Sequence, residues 1–212
     1  MLATNRTMPP SARQNDPVPK IAAPTVAENR ELRRDALLAA AATLIQRGSG
    51  TFTVAEVAHE VGLSRSAVYE YYSSAAELIA DVLVDELSAW SASLEVSTNE
   101  ASDAGQRVHA WIHGILAYVA DGRHALLRSA AAIELPPTRR AEVHELHQAL
   151  IAPLVDALIA TGSTDPVRQA RYVWGVVEVA IARIEGGEAS AADESIPLIA
   201  FVDAALRGTT AR

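Results

Sequence analysis

The segment from Thr53 to Leu78, TVAEVAHEVGLSRSAVYEYYSSAAEL, limits the fold more than any other part of the chain. Thr53 followed by Glu56 makes a capping box, and Val54, Val57, Ala58 and Val61 recur at helical spacing. Gly62 supplies the positive φ that lets the chain leave this helix sharply. Leu63 is an apolar plug, and Ser64 caps a further helix expected to run to about Tyr71. Two short helices joined by a turn of this length form a helix-turn-helix.

The faces of the second helix can be counted. Val68 and Tyr72 point back with Leu63 toward the preceding helix, while Arg65, Ser66 and Tyr69 lie on the other side near the N-terminal end. A recognition helix needs its base-reading side chains there, since the major groove admits a helix and Arg pairs two acceptors of guanine. Arg65 as a solvated charge and Tyr69 as half-buried packing is the alternative reading.

Upstream, residues 1–27 hold five of the ten prolines and no apolar period, the pattern of a flexible arm. Its Arg6, Arg13 and Lys20 suit either a solvated tail or a minor-groove contact. Leu37, Ala40, Ala41, Leu44 and Ile45 then define an amphipathic helix over about 29–47, closed by Arg47-Gly48. Arg30, Arg33 and Arg34 in its opening turns are solvated charges or phosphate contacts.

Leu37-Leu38-Ala39-Ala40-Ala41, Arg47-Gly48, Thr53-Val54-Ala55-Glu56-Val57-Ala58, Val61-Gly62-Leu63-Ser64, Val68-Tyr69, Tyr71-Tyr72 and Glu77-Leu78 together resemble the N-terminal domain of the TetR family of transcriptional regulators. The resemblance covers roughly residues 30–80. It implies that Thr53 sets its hydroxyl and helix N-terminus against a phosphate. It also implies that Arg65 and Ser66 face bases or backbone and that Tyr69 and Tyr71 touch phosphates. With Arg33, Arg34 and Ser64, these make up the candidate DNA-binding set. Where such proteins often carry a lysine at the start of the fourth helix, this chain has Ala75, and Tyr72 stands in place of a common phenylalanine. One phosphate contact is thereby lost, and the arginines of the first helix must compensate or affinity falls.

Ser74 and Glu77 open the fourth helix with a second capping box, and Leu78, Val82, Leu83, Leu87, Trp90 and Leu94 follow on one face. This helix is long enough to leave the head and enter the rest of the chain, so it can carry displacement between them. Further helices are expected over about 103–121, 123–134, 138–161 with a bend at Pro153, 166–185 and 194–207. The fold class is all-α. A three-helix DNA-binding head with a helix-turn-helix (28–74) precedes a C-terminal helical bundle of about six helices (75–212), used for ligand binding and dimerisation.

Two wide apolar surfaces in the last two segments, around Tyr172, Val176 and Ile184 and around Ile196, Phe201 and Leu206, exceed what a small bundle covers by itself. A homodimer through a helix pair is expected, and two heads on a twofold axis imply a palindromic operator in double-stranded DNA. Packing within one chain is the alternative.

Charge is unevenly placed. The formal net charge is -8, yet residues 1–75 hold eight Lys/Arg against seven Asp/Glu, so the acidity belongs to the bundle. The absence of cysteine excludes disulfides and thiolate metal sites. No apolar run approaches the roughly 20 residues that cross a bilayer, and the N-terminus lacks an apolar signal stretch, so a soluble cytoplasmic protein with no membrane partner is expected.

His109 and His113 at i, i+4 and His144 and His147 at i, i+3 are spaced as pairs of metal ligands. Without an HExxH run, a Gly-rich phosphate loop, a GxSxG elbow or a nucleophilic cysteine, neither catalysis nor a bound metal or cofactor is expected. An apolar small-molecule pocket suits the bundle better, and Trp111, His113, His147, Trp174 and Glu178 are the candidate lining residues, core filling being the other use of the aromatics. These features point to a DNA-binding regulator, a repressor released by a small apolar or amphipathic effector. A ligand-blind architectural or adaptor protein and a metal-dependent enzyme on a helical bundle are the alternatives.

Overall fold

The computed structural model describes residues 25–47, 52–130 and 133–210. Among them are ten helices and no strand: α1 (Val26–Arg47), α2 (Val54–Glu60), α3 (Arg65–Tyr69), α4 (Ala75–Asn99), α5 (Ala104–Ala120), α6 (His124–Ala130), α7 (Pro137–Ala149), α8 (Ala152–Ala160), α9 (Pro166–Glu185) and α10 (Ala191–Thr210). No described helix is long and apolar enough to cross a membrane. The basic residues of the expected arm and the glycine expected to stop the first helix lie outside the described residues.

Local chemistry accounts for most helix ends. α1 begins earlier than the apolar period indicates because Thr25 and Glu28 cap it reciprocally: the Glu28 amide donates to Thr25 Oγ1 at 3.2 Å and the Thr25 amide to Glu28 Oε2 at 2.5 Å. The arm therefore gives way to helix at Val26. The capping box at α2 is formed, with Thr53 accepting from the Glu56 amide and Glu56 reaching back to the Thr53 amide. α2 ends as a Schellman turn, in which the Leu63 amide bonds the Ala58 carbonyl at 2.9 Å and the Gly62 amide bonds His59 at 3.2 Å, with Gly62 at φ +66°.

Three expectations change. The recognition helix is shorter than expected and ends at Tyr69, leaving Tyr71 and Tyr72 in the following turn. At α4 Ser74 accepts from the Glu77 amide, while the Glu77 carboxylate faces Arg139 Nε at 3.6 Å. The single helix expected over 138–161 is two, α7 and α8, so the bundle counting α4 has seven helices. Pro153 lies in the first turn of α8, where its missing N–H costs nothing, and the break precedes it. The fully buried Trp111 indole donates to the Leu150 carbonyl at the break, at 2.8 Å. A carbonyl released from the helix ladder thus gains a partner.

Two apolar cores result. One joins Leu37, Ile45, Val57 and Val68 of α1–α3 to Leu78, Val82 and Leu83 of α4, and it also takes in Leu126 and Ala130 of α6 and Leu135. The other surrounds Trp90, Trp111, Ile112, Leu154 and Val177. α4 contributes to both, its first half to the head and its second half to the bundle.

Gly62 has open space around the position of a Cβ, so steric collision is not the constraint there; its left-handed backbone is. Gly62→Ala should therefore lower unfolding free energy by about 1–2 kcal/mol, seen in a denaturant titration, with the helical circular dichroism of the folded state unchanged.

Candidate nucleic-acid interface and effector cavity

α3 presents Arg65, Ser66 and Tyr69 to solvent, with the buried Val68 fixing the helix on the head core. Arg65 Nη2 donates to the Tyr69 hydroxyl at 3.2 Å, and its guanidinium lies 5.6 Å from the Tyr69 ring centroid. The two side chains one turn apart thus restrain each other on the exposed face. Ser64 caps α3 by accepting from the Ala67 amide at 3.2 Å, and its hydroxyl lies 2.9 Å from that of Ser66.

The other expected DNA contacts are less uniform. Arg33 is exposed, and the Arg30 guanidinium sits 4.9 Å over the Tyr71 ring, so Tyr71 is placed against α1 rather than along the recognition helix. Thr53 donates its hydroxyl to Glu56 Oε2 at 2.8 Å, so a phosphate at this N-terminus meets a carboxylate unless Glu56 swings away.

Arg34 corrects the expectation for it. One helical position from the exposed Arg33, it turns inward, and its Nη2 donates to Asp81 Oδ2 of α4 at 3.0 Å. The same carboxylate accepts from the buried Tyr72 hydroxyl at 3.1 Å and from Arg139 of α7. Arg139 also bonds Glu142 at 2.5 Å. Asp81 therefore ties α1 of the head, the turn after α3, and α7 of the bundle to α4. Burial, and next the charge of Asp81, push the Tyr72 phenol well above its ordinary pKa. It stays protonated and donates. The tyrosine expected to replace a phenylalanine by simple substitution thus brings a hydroxyl into this ion cluster.

A cavity of about 420 Å³ lies between α4, α6 and α7, where the two cores meet. Leu83, Leu87, Leu127, Ile133, Leu135 and Val143 form its apolar walls. Its polar lining consists of His124, Arg128, Arg140, His144 and His147. Arg140, Val143, His144 and His147 follow at i, i+3, i+4 and i+7, so one face of α7 forms a wall. Arg128 Nη1 and His124 Nδ1 both meet Glu185 of α9, at 3.1 and 2.7 Å. Arg140 Nη2 donates to the Leu135 carbonyl at 3.0 Å.

Of the five residues expected to line a pocket, only His147 reaches this cavity. Trp111 is core, and His113 is exposed because it points away from the apolar face of α5. Trp174 donates to Glu178 at 2.7 Å and stands edge-on to His147, with ring centroids 6.0 Å apart. His147, Trp174, Gln148, Ile151 and Arg171 line a separate cleft on the α7–α9 side. Desolvation, followed by the neighbouring His124 and His144, lowers the His147 pKa, so this imidazole is neutral at pH 7 although part of it remains open to solvent. His109 pairs with Asp203 at 2.8 Å, and no group of three or more His, Cys, Asp or Glu among the described residues is arranged to hold a metal ion. The cavity-lining Leu83, His124 with Arg128, and Arg140 come from three helices, α4, α6 and α7, and the local signals for them were two i, i+4 spacings, His124–Arg128 and Arg140–His144.

Residues 36–82 match the family model of bacterial regulatory proteins of the tetR family. A putative TetR-family transcriptional regulator from Rhodococcus sp. superimposes with TM-score 0.66 at 26% identity, covering 82% of this chain and 99% of that one. The fatty acid degradation regulator FadR from Bacillus halodurans shares the fold at 14% identity, TM-score 0.66, over 80% of this chain and 94% of its own. So does the regulator FadR from Bacillus subtilis, solved in complex with stearoyl-CoA, at 16% identity, TM-score 0.60, over 84% and 97%. A comparison with curated proteins finds no match.

Asp81→Ala should cost about 1–2 kcal/mol of stability in urea unfolding, the low end for a lost charged acceptor because Glu77 and Glu142 still face Arg139. Alkali gives a second check. Tyr72 and Tyr118 both have raised pKa values in the fold, so the unfolded chain loses these protons first. Stability should fall above about pH 10, by about 1.4 kcal/mol per pH unit for each tyrosine, and Tyr72→Phe with Tyr118→Phe should flatten that decline.

Proposed function

We infer how this chain works from the premise that it is a DNA-binding transcriptional regulator of the TetR family. Residues 28–74 act as its reading head and 75–212 as its sensing and dimerising body, with α4 shared between them. Arg65, Ser66 and Tyr69 enter the major groove, and Ser64, Thr53, Tyr71 and Arg33 hold the flanking phosphates. Arg34 supports the head through Asp81 instead of meeting DNA. The observation that carries this reading is the outward Arg65–Tyr69 pair on the second helix of a well-capped helix-turn-helix.

Two heads act together through α9 and α10. Tyr172, Val179, Ile196 and Phe201 are 59–77% exposed in the single chain, an apolar surface that a second copy would cover. A twofold dimer of this kind reads a palindromic operator, its half-sites one turn apart.

The cavity at the seam of the two cores is the effector site, and it takes a small apolar or amphipathic molecule. Its volume is in the range of small-molecule sites. A neighbour of the same fold holding stearoyl-CoA supports the choice. An occupant presses on α7 and α6, and α7 carries Arg139, which holds Asp81 of α4. Effector binding thereby favours a packing in which α4 and the heads shift, and the operator is released. Repression without effector and release with it follow, and no catalytic step is involved.

DNA selected from a random pool by the purified protein supplies an operator for testing. Arg65→Ala with Tyr69→Ala should weaken operator binding at least about ten-fold in a mobility-shift titration, at unchanged dimer mass and melting temperature. Equal binding by the double variant would remove this assignment of the recognition face.

A further inference from the structure

The permanently charged side chains that line the seam cavity have one sign. Two arginines and three histidines face it, and among the described lining residues there is no Asp or Glu. This is unexpected in a body whose residues 76–212 hold ten Lys/Arg against nineteen Asp/Glu. The apolar lining includes Leu83 and Leu87 of α4 and Leu127 of α6, while α7 contributes Arg140 and His144.

We propose, on the reading of this cavity as the effector site, that its ligand is an amphipathic anion: an alkyl chain against the leucines and an acid head at Arg140 and His144, with Arg128 of α6 also on the lining. The structure already contains a pattern for such a head. Glu185 joins His124 Nδ1 at 2.7 Å and Arg128 Nη1 at 3.1 Å, so an internal carboxylate satisfies the α6 side of the basic cluster. The α7 side has only weak internal competition. Glu134 stands 3.9 Å from Arg140 with its side chain 94% exposed, a pair that contributes little in water. The Leu135 carbonyl takes one N–H of Arg140, orienting the guanidinium while its other donors remain for a bidentate acid. His144, one turn along the same face, adds a second donor, and the neutral His147 beyond it adds a hydrogen bond without charge. An alkylammonium head would meet two arginines, and an alcohol would leave the charge-assisted bonds unmade.

Calorimetry on the DNA-free full-length protein tests this with four ligands of one chain length: decanoate, decyl phosphate, decanol and decyltrimethylammonium. Decanoate or decyl phosphate should bind about ten-fold or more tighter than decanol, and the cation should bind more weakly than decanol. The stronger of the two anions tells a carboxylate head from a phosphate one. Arg140→Gln with His144→Gln should bring the anion down to the affinity of decanol while decanol binding persists, which also reports that the variant is folded. Decanol binding as tightly as both anions, or a preference for the anion that survives the double substitution, would overturn the proposal, and the wild-type series decides even if the variant fails to fold. Operator binding measured on the same preparation separates the two claims. Loss of operator binding with the anion preference intact sinks the regulatory reading alone, and a normal operator complex released equally by decanol sinks this inference alone.

Discussion

Helix α4 belongs to two cores at once, and the rest of the molecule is arranged by that constraint. Leu78, Val82 and Leu83 are part of the same buried cluster as Ile45 and Val68, whereas Leu87, Trp90 and Leu94 pack with Trp111 and Ile112. A helix shared in this way does not move at one end without disturbing packing at the other, because interiors at crystal-like density do not deform continuously. Asp81 reinforces the constraint at the boundary. Its carboxylate gathers Arg34, Tyr72 and Arg139, one each from α1, the turn after α3, and α7. A half-buried charge shared by three elements is worth little as net stability but favours one register, since moving any of them breaks a hydrogen bond to that carboxylate.

The head is consequently not closed on itself. Leu126 and Ala130 of α6, with Leu135, complete its apolar core, so the body supplies part of the floor on which the helix-turn-helix stands. The cavity opens beside that floor, and Leu83, Ala130 and Leu135 are both core residues of the head and walls of the cavity. Whatever fills the cavity therefore touches side chains that also position the reading helices. Coupling by shared packing needs no chain of intermediates: the same residues serve both surfaces. The basic lining meets this placement at α7, where Arg140 on the cavity wall is next to the Arg139 that grips Asp81.

Much of the local structure was legible where its cause was local. The capping box at Thr53–Glu56, the left-handed turn at Gly62 and the cap at Ser64 are properties of a few consecutive residues, and they form as the residue types dictate. The apolar period of α4 likewise names the side chains that are buried. The resemblance of the N-terminal segment to TetR regulators rests on the same local signals, and the family model covers it. The early start of α1 was legible too, in Thr25 and Glu28, a pair that an apolar period does not register.

Placement across helices was not legible. Arg33 and Arg34 are alike in sequence, yet one turns to solvent and the other to Asp81, forty-seven positions away in the chain. Trp111 and His113 sit two residues apart, and the rotation of α5 against its neighbours makes the first core and the second surface. The cavity residues come from α4, α6 and α7 and share no pattern until those helices are packed. The amino-acid sequence by itself determined the helices, their caps and the reading head, because backbone hydrogen bonds and side-chain periodicity act over a few residues. Only the tertiary structure decided which charges are engaged and where the cavity lies, because both depend on distances between segments that the chain brings together only on folding.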